Sequence, residues 1–453
     1  MTTIQCTDRW KSGRLATLFA ENAEKNSNLS STEALQFRYG EIRPKPIYDL
    51  TDDLKETYKK YALVRPNDIM LNGLNLNYDF VTQRVAQVKS NGIITSAYIS
   101  LRPREGVSAQ YYTYLLKTLD SKKVFNGMGT GIRLTLSYNL LRNLELPIPQ
   151  HEEQDHIVRY LDWQVSKINK LIAARKKQIT LLKELRKAIT DEGILHGFTS
   201  SEMKDSGVFW LGSVPEHWSV KPLKRVCRVN ASIAHLITAL NDDTRVTFLP
   251  MENVSVIGEV DCTIKKPLSE VRSGFSSFAK GDVVVAKITP CFENGKGACL
   301  DSLDTEIGFG TTEFINLRPS HDINPKYLYL ITMTRPFRVL GEKVMTGSAG
   351  QKRVSPEYIK NFTIGIPPLD EQNNILEEID RRVSRIDEQI RCENESISVL
   401  FELRTRLISD VVTGQIDVRG IEVPDFDIVE EIDSDEENLD DEDAAEETEE
   451  QEE

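Results

Sequence analysis

Histidine is rare in this 453-residue chain, its cysteines are scattered, and it has no long apolar run. The six cysteines (Cys6, Cys227, Cys262, Cys291, Cys299, Cys392) include no CxxC pair, which removes the usual signals of a disulfide framework or a zinc knuckle. The six histidines show no HExxH or other ligand spacing, so no metal is expected. Gly295-Lys296-Gly297 lacks the earlier glycine and the following hydroxyl residue of a phosphate loop. Gly127-Met128-Gly129-Thr130-Gly131 has the wrong spacing for a dinucleotide fingerprint. No stretch approaches the ~20 apolar residues that cross a bilayer, and Met1–Arg14 has no apolar segment behind a basic one. The expectation is a cytoplasmic protein, without a membrane partner, that is not an enzyme.

The net charge of −14 is concentrated at one end. Residues 421–453 hold 19 acidic side chains and no basic one, leaving residues 1–420 at about +5. So acidic a stretch has too little apolar surface to offset its own ordering entropy, so 416–453 is expected to be a disordered tail.

The rest of the chain repeats itself. Ile148-Pro149-Gln150-His151-Glu152-Glu153-Gln154 recurs 218 residues later as Ile366-Pro367-Pro368-Leu369-Asp370-Glu371-Gln372, and Glu184-Leu185-Arg186 recurs as Glu402-Leu403-Arg404 at the same offset. Behind each proline, apolar residues fall on alternating steps of three and four. The first copy has Leu161, Val165, Ile168, Ile172, Ile179 and Leu182; the second has Ile379, Val383, Ile386, Ile390, Ile397 and Leu400. This is the pattern of a coiled-coil seam. Residues 173–187 are strongly basic and 370–388 acidic, so an antiparallel pair brings opposite charges together. The predicted organisation is 1–148 and 198–366 as two domains, 149–197 and 367–415 as spacer helices, and 416–453 as the tail. The fold class is α+β: two mixed α/β domains joined by two long helices forming an antiparallel coiled coil, with pseudo-twofold character.

The two domains share a skeleton. Short β-like runs at 69–71 and 93–98 match runs at 283–285 and 309–314. Leu101-Arg102-Pro103 matches Leu317-Arg318-Pro319, and a glycine turn follows in each, Gly127–Arg133 and Gly347–Arg353. Around these turns lie side chains that donate to phosphates or base edges. In the first domain the candidates are Asn72, Thr130 and Arg133. In the second they are Lys287, Asn294, Lys296, Gln351, Lys352 and Arg353. From the residues alone, a coiled-coil adaptor without DNA affinity also fits; salt-dependent DNA binding separates the two readings.

The paired IPxxxEQ starts, the run Gly347-Ser348-Ala349-Gly350-Gln351-Lys352-Arg353-Val354-Ser355 and the linker from Asp205-Ser206-Gly207-Val208-Phe209-Trp210-Leu211-Gly212 to Trp218 resemble the DNA-specificity subunit of Type I restriction-modification systems. The resemblance covers residues 1 to about 415. It implies two target-recognition domains, each reading one half of a bipartite, asymmetric site in double-stranded DNA, with the helices fixing the gap. It also implies two methyltransferase (modification) subunits and translocase/endonuclease (restriction) subunits as partners. S-adenosylmethionine, ATP and Mg are then expected on those partners and no cofactor on this chain.

Overall fold

The computed structural model describes residues 7–38, 40–46, 51–77, 83–131, 134–199, 201–348 and 350–429. The chain divides into two compact units, one formed by 1–176 with 394–453 and the other by 177–393.

In the first unit, strands Phe19–Glu21, Ile99–Pro103, Ile69–Leu71 and Val85–Gln87 form an antiparallel sheet in that order. Helix Ala109–Ser121 lays Tyr112, Leu115, Leu116 and Leu119 into one core with Phe19, Ile69, Leu71 and Leu101. In the second unit the same antiparallel order is made by Cys227–Val229, Phe314–Pro319, Val283–Ala286 and Gly297–Cys299. The Val283-Val284-Val285 run is buried throughout, as β-branched residues suit a strand covered on both faces. This unit adds a second four-stranded sheet, in which Arg245–Leu249 lies parallel to Ile307–Gly310.

The β-like runs expected at 93–98 and 309–314 are not single strands. Each breaks into two, Gly92–Ile94 then Ile99–Pro103, and Ile307–Gly310 then Phe314–Pro319. A hydroxyl makes the turn in both: Thr95 Oγ1 accepts from Ala97 N at 3.4 Å, and Thr311 Oγ1 from Glu313 N at 3.3 Å.

Each sheet is held by the same buried ion pair. Arg102 donates to both oxygens of Asp68 at 2.9 and 2.8 Å, and Arg318 to both oxygens of Asp282 at 2.8 Å. The arginine comes from the Leu-Arg-Pro corner and the aspartate from the start of the neighbouring strand.

The long helices run His151–His196 and Leu369–Val412. In the first unit Ile157 and Leu161 share a core with Val411 and Val412, and Arg404 Nη1 donates to Asn169 Oδ1 at 3.1 Å. In the second, Ile194 and Leu195 share a core with Ile375, Leu376 and Ile379, and Arg186 lies 3.4 Å from Asp387. Within each unit the two helix halves therefore run antiparallel. Leu161, Val165, Ile168, Ile172, Ile179, Leu182, Ile379, Ile386 and Ile397 are buried; Val383, Ile390 and Leu400 are half-buried.

The repeated motif residues fasten helix to domain. The Gln154 amide donates to Pro149 O at 2.9 Å while its oxygen accepts from Ser108 N at 3.0 Å. Gln372 repeats this with Pro367 O at 3.0 Å and Asn324 N at 2.8 Å. At the far ends Tyr111 Oη donates to Val412 O at 2.8 Å and Tyr327 Oη to Ile194 O at 2.9 Å, satisfying last-turn carbonyls. Gly197 and Gly414 follow with φ of +72°, the left-handed value common after a helix.

The tail does not begin at 416. Val418 and Val423 are buried in the first unit's core. His156 Nε2 lies 2.8 Å from Val418 O, Val429 N donates to Ser166 Oγ at 3.1 Å, and Asn169 Nδ2 donates to Val429 O at 3.2 Å. Residues 416–429 thus form a strap along the first long helix. Counting acids over the whole terminus concealed the two valines and Phe426 that anchor it. Residues 430–453 lie outside the described residues.

Candidate nucleic-acid interface

In the second unit, strand Val283–Ala286 leads into a loop at 287–296 that returns through Gly297–Cys299. The glycine-rich segment 346–354 is stitched to it by backbone bonds: Thr289 N donates to Lys352 O at 3.0 Å, and Val354 N to Lys287 O at 2.9 Å. The Thr289 hydroxyl accepts from Lys352 N at 3.1 Å. Lys287, Asn294, Lys296, Gln351, Lys352 and Arg353 therefore stand on two adjoining loops. Gly347 has a φ of +135°, and a Cβ there would lie 2.7 Å from Gln351 O, so the tight turn requires glycine.

These six side chains differ in how they are engaged. Arg353 Nε and Nη2 donate to the Glu313 carboxylate at 2.9 to 3.2 Å, and Nη1 donates to Gln351 O at 3.1 Å. Arg353, above all, holds the Glu313 carboxyl below its ordinary range against partial desolvation, and the charge of Lys287 adds to the effect. Lys296 Nζ donates to Met251 O at 3.0 Å. Asn294, Gln351 and Lys352 are exposed.

Behind the loops sits a buried cation. Arg338, only 8% exposed, donates from Nη1 to Phe292 O at 2.9 Å, and its guanidinium lies 4.8 Å from the Phe292 ring centre. Burial lowers its pKa to about 10.

The first unit has the same two-loop plan. Leu136 N donates to Gly73 O at 2.8 Å, the counterpart of Val354 to Lys287, and Leu76 N donates to Leu134 O at 3.1 Å. Thr130 and Thr135 exchange backbone bonds of 3.1 and 2.9 Å. Asn72 and Thr130 are thus on one loop pair, whereas Arg133 lies outside the described residues. The Asn72 carboxamide accepts from Leu74 N at 3.1 Å and shapes its own turn. Arg84, buried, donates from Nη1 to Leu74 O at 2.7 Å and Asn72 O at 3.3 Å.

Three residues central to this geometry, Glu313, Arg84 and Arg338, went unnoticed in the sequence. Glu313 is 40 residues from Arg353, and nothing local marks either as a partner. The helical position of Arg338 beside Pro336 and Phe337 is the only hint that it turns inward.

Among the described residues no group of three or more His, Cys, Asp or Glu side chains is placed to hold a metal ion, and no helix is long and apolar enough to cross a membrane.

The family model described as Type I restriction modification DNA specificity domain matches residues 41–181 and 215–398. The Type I restriction enzyme EcoAI specificity subunit of Escherichia coli is 36% identical over 212 residues, 46% of this chain and 34% of that protein. The EcoEI specificity subunit of Escherichia coli is 39% identical over 166 residues, 36% of this chain and 27% of that one. The chain therefore spans about a third of the length of these two relatives. Among solved structures, a chain described under complex assembly and conformational transition of the type I R-M system aligns with a TM-score of 0.64 at 14% identity, covering 91% of this chain and 100% of that one. That likeness establishes the mixed α/β fold.

Proposed function

We propose, from the premise that the chain belongs to the Type I restriction-modification DNA-specificity family, that it is the subunit that selects the DNA sequence for such a complex. Each unit's loop pair reads one half of a two-part, asymmetric site in double-stranded DNA. The two long helices, as an antiparallel coiled coil, fix the gap and dock two methyltransferase subunits, with translocase/endonuclease subunits joining for restriction. In this reading 1–148 and 198–366 are the recognition domains, 149–197 and 367–415 the spacer, and the acids beyond 429 a solvating tail. The chain is non-catalytic and acts in the cytoplasm; S-adenosylmethionine, ATP and Mg serve the partner subunits.

The observation that carries the reading is the duplication of one frame with two surface chemistries. The same sheet order, ion pair, glutamine clamp and loop stitch recur. The loops they support instead differ, with Asn72 and Thr130 in one and Asn294, Gln351 and Lys352 in the other. A scaffold held constant beneath varied donors suits two readers of unlike base sequences, because sequence is read by the side chains that reach base edges.

The test is co-expression with the modification subunit in a methylation-free host, followed by genome-wide mapping of N6-methyladenine. Marks confined to one two-part motif with a fixed gap are expected. A stable complex that leaves no marks, together with DNA affinity that does not change with salt, would favour the adaptor reading.

A further inference from the structure

We propose that Glu313 and Arg353 are not base readers but a brace that positions the second unit's two recognition loops, leaving sequence readout to Gln351, Lys352 and Asn294. This rests on the DNA-specificity reading above.

Glu313 stands where the two loops meet the sheet. Its backbone oxygen accepts from Lys287 N at 2.8 Å, tying the first loop, and its carboxylate takes the Arg353 fork, tying the second. Arg353 in turn accepts and donates backbone bonds with Thr346, 3.1 and 2.8 Å, which closes the glycine turn. With Nε and Nη2 on Glu313 and Nη1 on Gln351 O, all three guanidinium nitrogens already have a protein acceptor. A bidentate contact to guanine takes two of these same nitrogens. The residues left projecting from the braced turn are Gln351 and Lys352, both exposed, with exposed Asn294 on the adjoining loop.

Comparison of the two units supports a dedicated pair. Ala97 stands four residues before Leu101, as Glu313 does before Leu317, and Thr135 precedes Leu136 as Arg353 precedes Val354. Both members of the brace are thus missing together from the first unit. There Arg84 ties the loop from below, through the Asn72 and Leu74 carbonyls. One unit locks its loop by backbone capture and the other by an ion pair from loop to sheet edge, as expected if each lock was fitted to its own recognition surface.

The experiment compares genome-wide adenine-methylation motifs made by the full chain co-expressed with its modification subunit. The variants are E313Q, R353Q, the charge exchange E313R/R353E, and Gln351→Ala, with unfolding of each purified chain followed in parallel. For E313Q and R353Q one half of the motif is expected to become degenerate, with preference for the cognate over singly changed sites falling about tenfold. The other half is expected to stay intact, which shows folding and assembly. The exchange is expected to restore discrimination, and Gln351→Ala to alter preference at a single position. A wild-type motif from E313Q and R353Q would overturn the brace. So would a wild-type motif from E313Q combined with loss of specificity in the exchange, because Arg353 would then be the reader. Collapse of the second unit's unfolding transition in both single variants would also overturn it, as the pair would then hold the fold and not the loops. Absence of any two-part motif from the wild-type chain would instead refute the reading on which the proposal rests.

Discussion

Replacing Asp282 by alanine is expected to unfold the second unit preferentially. The carboxylate is 2% exposed, receives two bonds from Arg318 at 2.8 Å, and accepts from Ala279 N at 2.8 Å. Its bond to Arg318 raises that guanidinium's pKa. Truncation therefore strands a partly buried cation and an amide donor together. Removing one partner of a buried pair costs about 3–5 kcal/mol, and Arg318, with a side chain 23% exposed, regains some hydration, which favours the lower end. For a unit of roughly 150–250 residues each kcal/mol moves the midpoint by about 2–4 °C, so a fall near 10 °C is expected. Because the two units need not melt together, the assay is native-state hydrogen exchange resolved by peptide, with protection in Cys227–Val229, Val283–Ala286 and Phe314–Pro319 followed against the first sheet. Asp282→Asn keeps the shape and one acceptor and is expected to lose about half as much. Asp68→Ala is expected to have the mirror effect on the first sheet. Equal loss of protection in both sheets, or a change below about 0.5 kcal/mol, would refute the assignment of the pair as each sheet's separate anchor.

Gln372→Leu removes the amide that joins Pro367 O, Asp322 O and Asn324 N, and leaves one buried carbonyl and two part-buried groups without that partner; a loss of about 1–3 kcal/mol is expected by denaturant titration. Truncation after 429 is expected to leave both stability and binding to random DNA at low salt unchanged, as for a tail that only solvates, whereas truncation after 415 is expected to lower protection around His156 and Ser166. The brace also has a pH signature. Glu313 is more acidic in the folded chain than in the unfolded one, so its contribution is complete above the ordinary carboxylate range and is lost as pH falls through the depressed value. Discrimination by the second unit should accordingly hold on mild acidification to about pH 5, where a free carboxylate near its usual ~4.3 would already begin to protonate; a filter-binding titration checks it.

Much of the frame was legible along the chain because it rests on local rules. Proline, acidic first turns and steps of three and four mark a helix start and face wherever they occur, and an offset held at 218 residues marks a duplicated unit without any knowledge of its shape. The glutamines of the repeated motif stood out for the same reason, although their work as clamps did not. The loops were legible only as types: glycines permitting a tight turn, with donors nearby. Tertiary structure decided that 287–296 and 346–354 are one surface, that Arg353 turns inward to Glu313 while Gln351 and Lys352 face out, and that residues 416–429 lie on a helix within a segment whose composition reads as tail. Periodicity and capping are set by neighbours within a few positions. Pairing across tens of residues depends on which backbone the sheet brings close, and that distance is written nowhere in the local sequence.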